Sequence, residues 1–410
     1  MTLQRQHFTS ASLDRTRRSA VGSTRRTAGW VLGWIMILGA LLLAGAGGCG
    51  EKIAIPEASG LFGVTNYYID DYFAETDPVQ ILVAKGFLFV LSGDGRLSRR
   101  FTDYSPDVEI DGLSQPTALC ADEDGDMIFV WEQGLQRVSA FGTNDLETVG
   151  NWILPEVKQV AGMATCPAGV DGIEGGRTFL YLADQDSSVV HRYLFDNYND
   201  LSPYGILARR YRAGTQEEGA GLRFVHVPGG MARDHEDSLL VCELDSVRNW
   251  VIRFSAVPDY SDVTADPDDQ DPWRGLSVRF GEPSCGEEVA SDFTLGKAEE
   301  CDEPWIEGPS SEPGQFTVPW AVTLDGSGRI FVADTGNDRI QIFDADGEYI
   351  KLFGNVDWTP RPTSLAVVDK PKGSTYFGGY VFVVVPDSQQ VRKFISAEQR
   401  EHERHIEPDN

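Results

Sequence analysis

Between Pro319 and Gly354 the chain alternates apolar and polar positions in four short runs, AVTL, IFVA, IQIF and YIKLF. Period-two alternation rich in β-branched and aromatic residues points to strands. The runs are separated by DGSG, DTGND and DADG, whose Asp, Gly and Asn suit tight turns. The pattern predicts a four-stranded antiparallel meander. Alone, such a sheet leaves one face bare and both edges unpaired, so it needs neighbours of its own kind.

Those neighbours are written along the chain. The positions Ile330, Phe331, Val332, Asp334, Gly336, Arg339 and Phe343 recur without a gap at Ile128, Phe129, Val130, Glu132, Gly134, Arg137 and Phe141. Pro319 to Val332 has the same spacing as Pro228 to Val241, and weaker copies run from Pro78 to Phe101, through GMATC to Tyr193, and from Pro362 to Phe394. Closing aromatics fall at Phe101, Phe141, Tyr193, Phe254, Phe343 and Phe394, which makes six copies. Six such sheets packed face to face predict an all-β fold, a six-bladed β-propeller occupying 61–396. The last copy stops after its third strand. Leu61 to Ile69 has strand character and is expected to supply the missing outer strand of the sixth blade.

The segment GQFTVPWAVTLDGSGRIFVADTGNDRIQIFDADGEYIKLFG resembles the NHL repeat. That resemblance implies the same propeller architecture over roughly Pro78 to Phe394.

Residues 1–48 differ from the rest. Arg5, Arg15, Arg17, Arg18, Arg25 and Arg26 precede WVLGWIMILGALLLAGAGG, the layout of an export signal. Ala46, Gly47 and Gly48 run into Cys49, which resembles a bacterial lipoprotein signal, although Ala46 stands where that family usually has Leu. The resemblance implies cleavage before Cys49 and its lipidation, a tether over 49–60, and a place in the cell envelope. Gly50 after the Cys favours the outer membrane in enterobacterial sorting. The rival reading is an uncleaved anchor over Gly29 to Gly48. Either way the arginines stay inside and the propeller lies outside the cytoplasm.

The chain carries 35 Lys and Arg against 63 Asp and Glu; losing six arginines and Asp14 with the signal leaves 29 and 62, a net charge of −33. Such a surface disfavours nucleic acid as a partner. Cys285 and Cys301 flank a Gly- and Glu-rich insert and are the expected disulfide in an oxidising compartment, contributing ~3 kcal/mol by loop closure. Cys120 and Cys166 hold matching places in adjacent copies, which leaves a second bridge open, and Cys242 stands where Ala333 does and is expected to be a buried thiol.

Chemistry-bearing motifs are few. DEDGD at Asp122, Asp124 and Asp126 resembles the start of a calcium loop but occupies the place of the LDGSG hairpin turn and lacks the downstream bidentate Glu. The run Asp259 to Asp271 suits a solvated loop better than a cation site. Glu132, Asp184, Glu243 and Asp334 recur at one repeat position, which suggests a carboxylate ring for metal or acid–base work, but recurrence points rather to one local structural task in each blade, capping the turn that follows. Propellers with lyase or lactonase activity have a similar architecture but gather several His and acidic residues around a metal; within the propeller only His191, His226 and His235 occur. No metal, cofactor or catalytic residue is therefore assigned.

The long segments Ala208 to Val227 and Ala256 to Val318, the second an acidic insert, are expected to connect blades on one face. Extra loop on a rigid scaffold is where binding usually resides. Arg209, Arg210, Arg212, Arg223, His226 and Trp320 are the candidates for the binding face. The expectation is a monomeric, membrane-tethered binding or scaffolding module for a protein or glycan of the envelope, with a polar tail at 397–410; the alternative is a metal-dependent propeller enzyme of the lyase or lactonase/hydrolase kind.

Overall fold

The computed structural model describes residues 67–400 apart from 102–103, 123, 168–177, 196–199, 210–224, 226, 236, 245–248, 255–276, 281–308, 369–378 and 398–399; for 204–209 and 277–280 it describes the backbone alone. The described residues form 24 strands in six four-stranded antiparallel sheets. Blade 1 is β2 to β5 (Pro78–Ala84, Phe87–Ser92, Arg96–Arg100, Pro106–Ile110) and blade 2 is β6 to β9 (Pro116–Ala121, Met127–Glu132, Arg137–Gly142, Thr148–Ile153). Blade 3 is β10 to β13 (Val160–Pro167, Thr178–Asp184, Val189–Phe195, Leu201–Arg209). Blade 4 is β14 to β17 (Pro228–Arg233, Leu239–Glu243, Val251–Phe254, Ser277–Phe280), and blade 5 is β18 to β21 (Pro319–Leu324, Ile330–Asp334, Arg339–Phe343, Tyr349–Phe353).

Blade 6 is built from both ends of the propeller. Its inner strands are β22 to β24 (Ser364–Val368, Tyr380–Val385, Gln390–Ser396), and β1 (Tyr67–Ala74) adds antiparallel to β24 as the outermost strand. The register runs from Tyr67 opposite Ser396 to Ala74 opposite Gln390. The closing strand is the expected one, but it extends to Ala74. A register shift between Ile69 and Asp71 breaks the alternation there. Residues 61–66 lie outside the described residues.

Six apolar clusters hold the ring, one at each interface between blades. Phe89, Leu91, Ile128 and Val130 join blades 1 and 2, and Trp131, Val138, Leu180 and Tyr193 join blades 2 and 3. Phe179, Tyr181, Val241 and Phe254 follow, then Leu240, Val251, Val332 and Phe343. Phe331, Ile342, Val381 and Phe394 join blades 5 and 6, with Tyr67 stacked on Phe353 at 4.5 Å; Ile81, Val90, Phe382 and Val384 close the ring. The second strand of each blade therefore buries both faces, which is why these strands read as continuous apolar runs, whereas outermost strands such as β5 and β9 are largely exposed.

Two expectations are corrected and one open alternative is closed. Phe101 does not join the buried aromatics: β4 ends at Arg100 and Phe101 is exposed. The bridge left open between Cys120 and Cys166 is not made, since neither forms a disulfide, and Cys242 is a buried thiol as expected. Cys120 packs between blades 2 and 3 and Cys166 between blades 3 and 4, so β10 stands between the two thiols. The two long segments also contain strand: Ala208 and Arg209 end β13, and Ser277–Phe280 form β17. Cys49, Cys285, Cys301 and the run Asp259 to Asp271 lie outside the described residues. Among the described residues no helix is long and apolar enough to cross a membrane.

Candidate functional site at the channel mouth

The innermost strands of blades 1 to 5 begin the same way. Pro78, Pro116, Val160, Pro228 and Pro319 each pair with the last residue of the second strand, and the ladder then slips. The extra residue of each bulge, Val79, Thr117, Ala161 and Trp320, with Gly230 in blade 4 and Thr363 in blade 6, lines a central cavity of about 230 Å³. Bulges re-aim side chains, and here they turn the residue after the strand's first position toward the axis.

The chain reaches these bulges through strained backbone. Asp77, Gln115, Val318 and Arg361, the residues immediately before Pro78, Pro116, Pro319 and Pro362, have φ of 48, 49, 54 and 46°. A left-handed conformation is costly for a β-branched residue such as Val318. It persists because the approach is clamped. The N–H of Thr317 donates to Asp334 Oδ1 at 2.7 Å, and the N–H of Gly336 donates to the Thr317 carbonyl at 2.8 Å. A Cβ on Gly336 would stand 2.4 Å from Thr317 Cγ2 and 2.7 Å from the Thr317 oxygen, so glycine is required by this close approach.

This clamp is the shared task of the recurrent carboxylates. Glu132 Oε2 accepts the Ser114 N–H at 2.8 Å, Glu243 Oε1 accepts that of Val227 at 2.6 Å, and Asp184 accepts those of Lys158 and Gln159 at 3.1 and 2.9 Å. Each holds the connection entering its own blade. Burial pushes the Glu132 carboxyl up, but Arg137, Ser139 and the Ser114 N–H outweigh it and hold it below the usual range. For Asp184 burial is likewise outweighed, by His191 at 3.6 Å, the Gln159 and Lys158 amides and the Ser187 hydroxyl, and its carboxyl lies well below the usual range. In blade 1 Ser92 takes the position and donates to Glu75, which also holds Arg96 and Arg100 at 2.6 and 2.7 Å; in blade 6 the position is Val385.

The mouth itself is neutral. Gln80, Gln159, Gln185, Thr117, Thr363 and Ser364 supply its polar side chains, and Trp320 is 36% exposed there. Among the described residues none that lines the cavity is ionisable. Gln185 follows β11, so the turns between second and third strands share this face with the connections between blades. Several polar groups are spent within the ring: Gln80 Oε1 accepts the Leu119 N–H at 2.8 Å, Ser364 Oγ accepts that of Ile81 at 3.1 Å, and Thr117 Oγ1 donates to the Val160 carbonyl at 2.7 Å.

Of the sequence-derived candidates for the binding face, the structure places Trp320 at the mouth. Arg209 pairs with Val189 at the same face, but in the outermost strand of blade 3, three strand spacings or about 14 Å from the innermost. Arg210, Arg212, Arg223 and His226 lie outside the described residues. DEDGD sits at a hairpin turn: the Asp122 N–H donates to the Met127 carbonyl, the Asp122 carbonyl accepts the Gly125 N–H, and Asp126 pairs with Lys85. Among the described residues no group of three or more His, Cys, Asp or Glu could hold a metal ion. His191 sits beside Asp184, and His235 Nε2 is 3.0 Å from the Asp325 carbonyl. Sequence reading missed the ring of residues after the strand-initial prolines, although the signal was present as Pro-Val, Pro-Thr, Pro-Gly, Pro-Trp and Pro-Thr in five copies.

Residues 316–343, nearly all of them in blade 5, match the NHL repeat family model. The human NHL repeat-containing protein 3 is 43% identical over 63 residues, 15% of this chain and 18% of that protein, and protein lin-41 of Caenorhabditis elegans is 36% identical over 77 residues, 17% and 6%. The chain thus spans less than a fifth of these relatives. Among solved structures, streptogramin B lyase is 12% identical with a TM-score of 0.46, covering 80% of this chain and 98% of that one. A chain of a mitotic checkpoint complex is 10% identical with a TM-score of 0.49, covering 84% and 97%.

Proposed function

We propose that this propeller is a binding or scaffolding module, held outside the cytoplasm by a lipidated Cys49, which takes a protein or glycan partner of the cell envelope at the channel mouth and its surrounding face. The observation that carries this reading is Trp320. A large aromatic ring left 36% exposed at the head of an innermost strand serves no packing need, and aromatic side chains at concave mouths are typical anchors for partners. The blades around it commit both faces to packing, so variation for a ligand is confined to the mouth and the connections. The tether rests on Ala46, Gly47 and Gly48 abutting Cys49 after an apolar stretch, and two or more acyl chains would make it stable.

The experiment is capture from envelope extracts by the soluble chain beginning after Cys49, with Trp320→Ala as the comparison and EDTA in a parallel sample. Wild type should retain a partner in EDTA and Trp320→Ala should lose it; identical capture by both proteins would refute the site. For the tether, Cys49→Ser should abolish acyl labelling of the full chain, and unchanged labelling would refute it.

A further inference from the structure

The neutrality of the mouth, together with what its polar groups leave unpaired, specifies a ligand class. We infer that the mouth binds a single neutral sugar ring, stacked on Trp320 and hydrogen-bonded by the amides around it; this rests on the reading of the propeller as a binding module.

Gln159 Nε2 donates to Gln185 Oε1 at 3.1 Å, which leaves an acceptor on Gln159 and a donor on Gln185. Gln80 spends its carbonyl on Leu119 and keeps an amide donor. Thr363 lines the cavity, but its Oγ1 has no exposed surface and takes no part in the match. Donors and acceptors are thus mixed around the cavity, and a sugar hydroxyl both donates and accepts. Among the described residues no lining side chain is charged, so the lining offers neither an anion nor a cation a counter-charge. The apolar part of the lining is Val79, Val160, Ala161 and Ala321 together with the exposed Trp320 indole, and that indole is suited to the C–H face of a pyranose. The cavity of about 230 Å³ is below the roughly 300 Å³ at which drug-sized sites begin, so it takes one ring and leaves the rest of a longer glycan on the face.

The same rim could instead seat an apolar side chain of a protein, and the experiment separates the two. Saturation-transfer NMR on the soluble chain is run with methyl β-glucoside, methyl β-galactoside, N-acetylglucosamine, glucuronate and N-acetylphenylalanine amide. The expected result is transfer to at least one neutral sugar, weaker transfer to glucuronate, an affinity at least tenfold lower in Trp320→Ala, and affinity within about threefold of wild type in Trp320→Tyr. Circular dichroism melting confirms that the variants are folded. Transfer to the phenylalanine amide alone, or sugar binding unaffected by Trp320→Ala, overturns the sugar assignment. If no probe binds while capture from envelope extracts still depends on Trp320, the sugar assignment falls and the binding module stands; if that dependence also fails, both fall.

Discussion

The backbone N–H of Val318 donates to Asn249 Oδ1 at 2.7 Å, so the residue that carries the φ of 54° before the Pro319-Trp320 bulge is hooked to the preceding blade. Asn249 is 6% exposed. Trp320 is thereby aimed by a strained backbone held from two sides, by Asn249 and, through Thr317, by Asp334.

Two substitutions separate strain from clamp. Val318→Asn keeps the left-handed conformation at lower cost, because a short polar side chain tolerates it, and is expected to raise stability by about 1 kcal/mol. Asn249→Ala leaves the Val318 N–H unpaired and is expected to lower stability by about 1–3 kcal/mol. Urea midpoints measure both. A destabilised Val318→Asn would show that the valine side chain contributes more than its backbone costs.

The Asp184 clamp makes stability depend on acid. Its native carboxyl is held below the ordinary Asp value of about 3.9, so its contribution is fully present above that value and is lost as pH falls below it toward the native value. Asp184→Asn should cost about 1–3 kcal/mol at pH 7 and show a shallower loss of stability between roughly pH 5 and 2. Unfolding curves at a series of pH values test this; parallel pH profiles for the two proteins would remove Asp184 from the account.

Closure makes a third prediction. Deleting 67–74 removes β1 and exposes the edge of β24, and should abolish cooperative unfolding or cause aggregation. Deleting 401–410 should change stability by less than about 0.5 kcal/mol. Size-exclusion chromatography and thermal melts read the difference, and equal tolerance of both deletions would mean that the ring closes without β1.

The blades were legible because the turn residues and the alternation repeat together. Ile330 to Phe343 and Ile128 to Phe141 carry the same residues at the same spacing, and both fold as second and third strands of a blade. The strap was half legible, since the register shift between Ile69 and Asp71 puts two acidic residues where a strand reading stops. The shared place of Glu132, Asp184, Glu243 and Asp334 announced a common task, but its object, the N–H of the incoming connection, lies about 16 to 26 residues away and needs the fold. The mouth was least legible. Gln80, Gln185 and Thr363 come from three different blades, and which residue turns to the axis depends on a bulge that shifts the alternation by one. The thiols of Cys120 and Cys166 mislead for the same reason: matching positions on adjacent strands do not fix which interface a side chain enters.

The most direct test of the mouth as the binding site is the indole N–H signal of Trp320 in a ¹H–¹⁵N spectrum, assigned as the resonance missing from Trp320→Phe. Titrating the partner recovered from envelope extracts should shift or broaden that signal first and most among the seven tryptophans that follow Cys49. A titration that perturbs other indoles and leaves Trp320 unmoved would contradict the account.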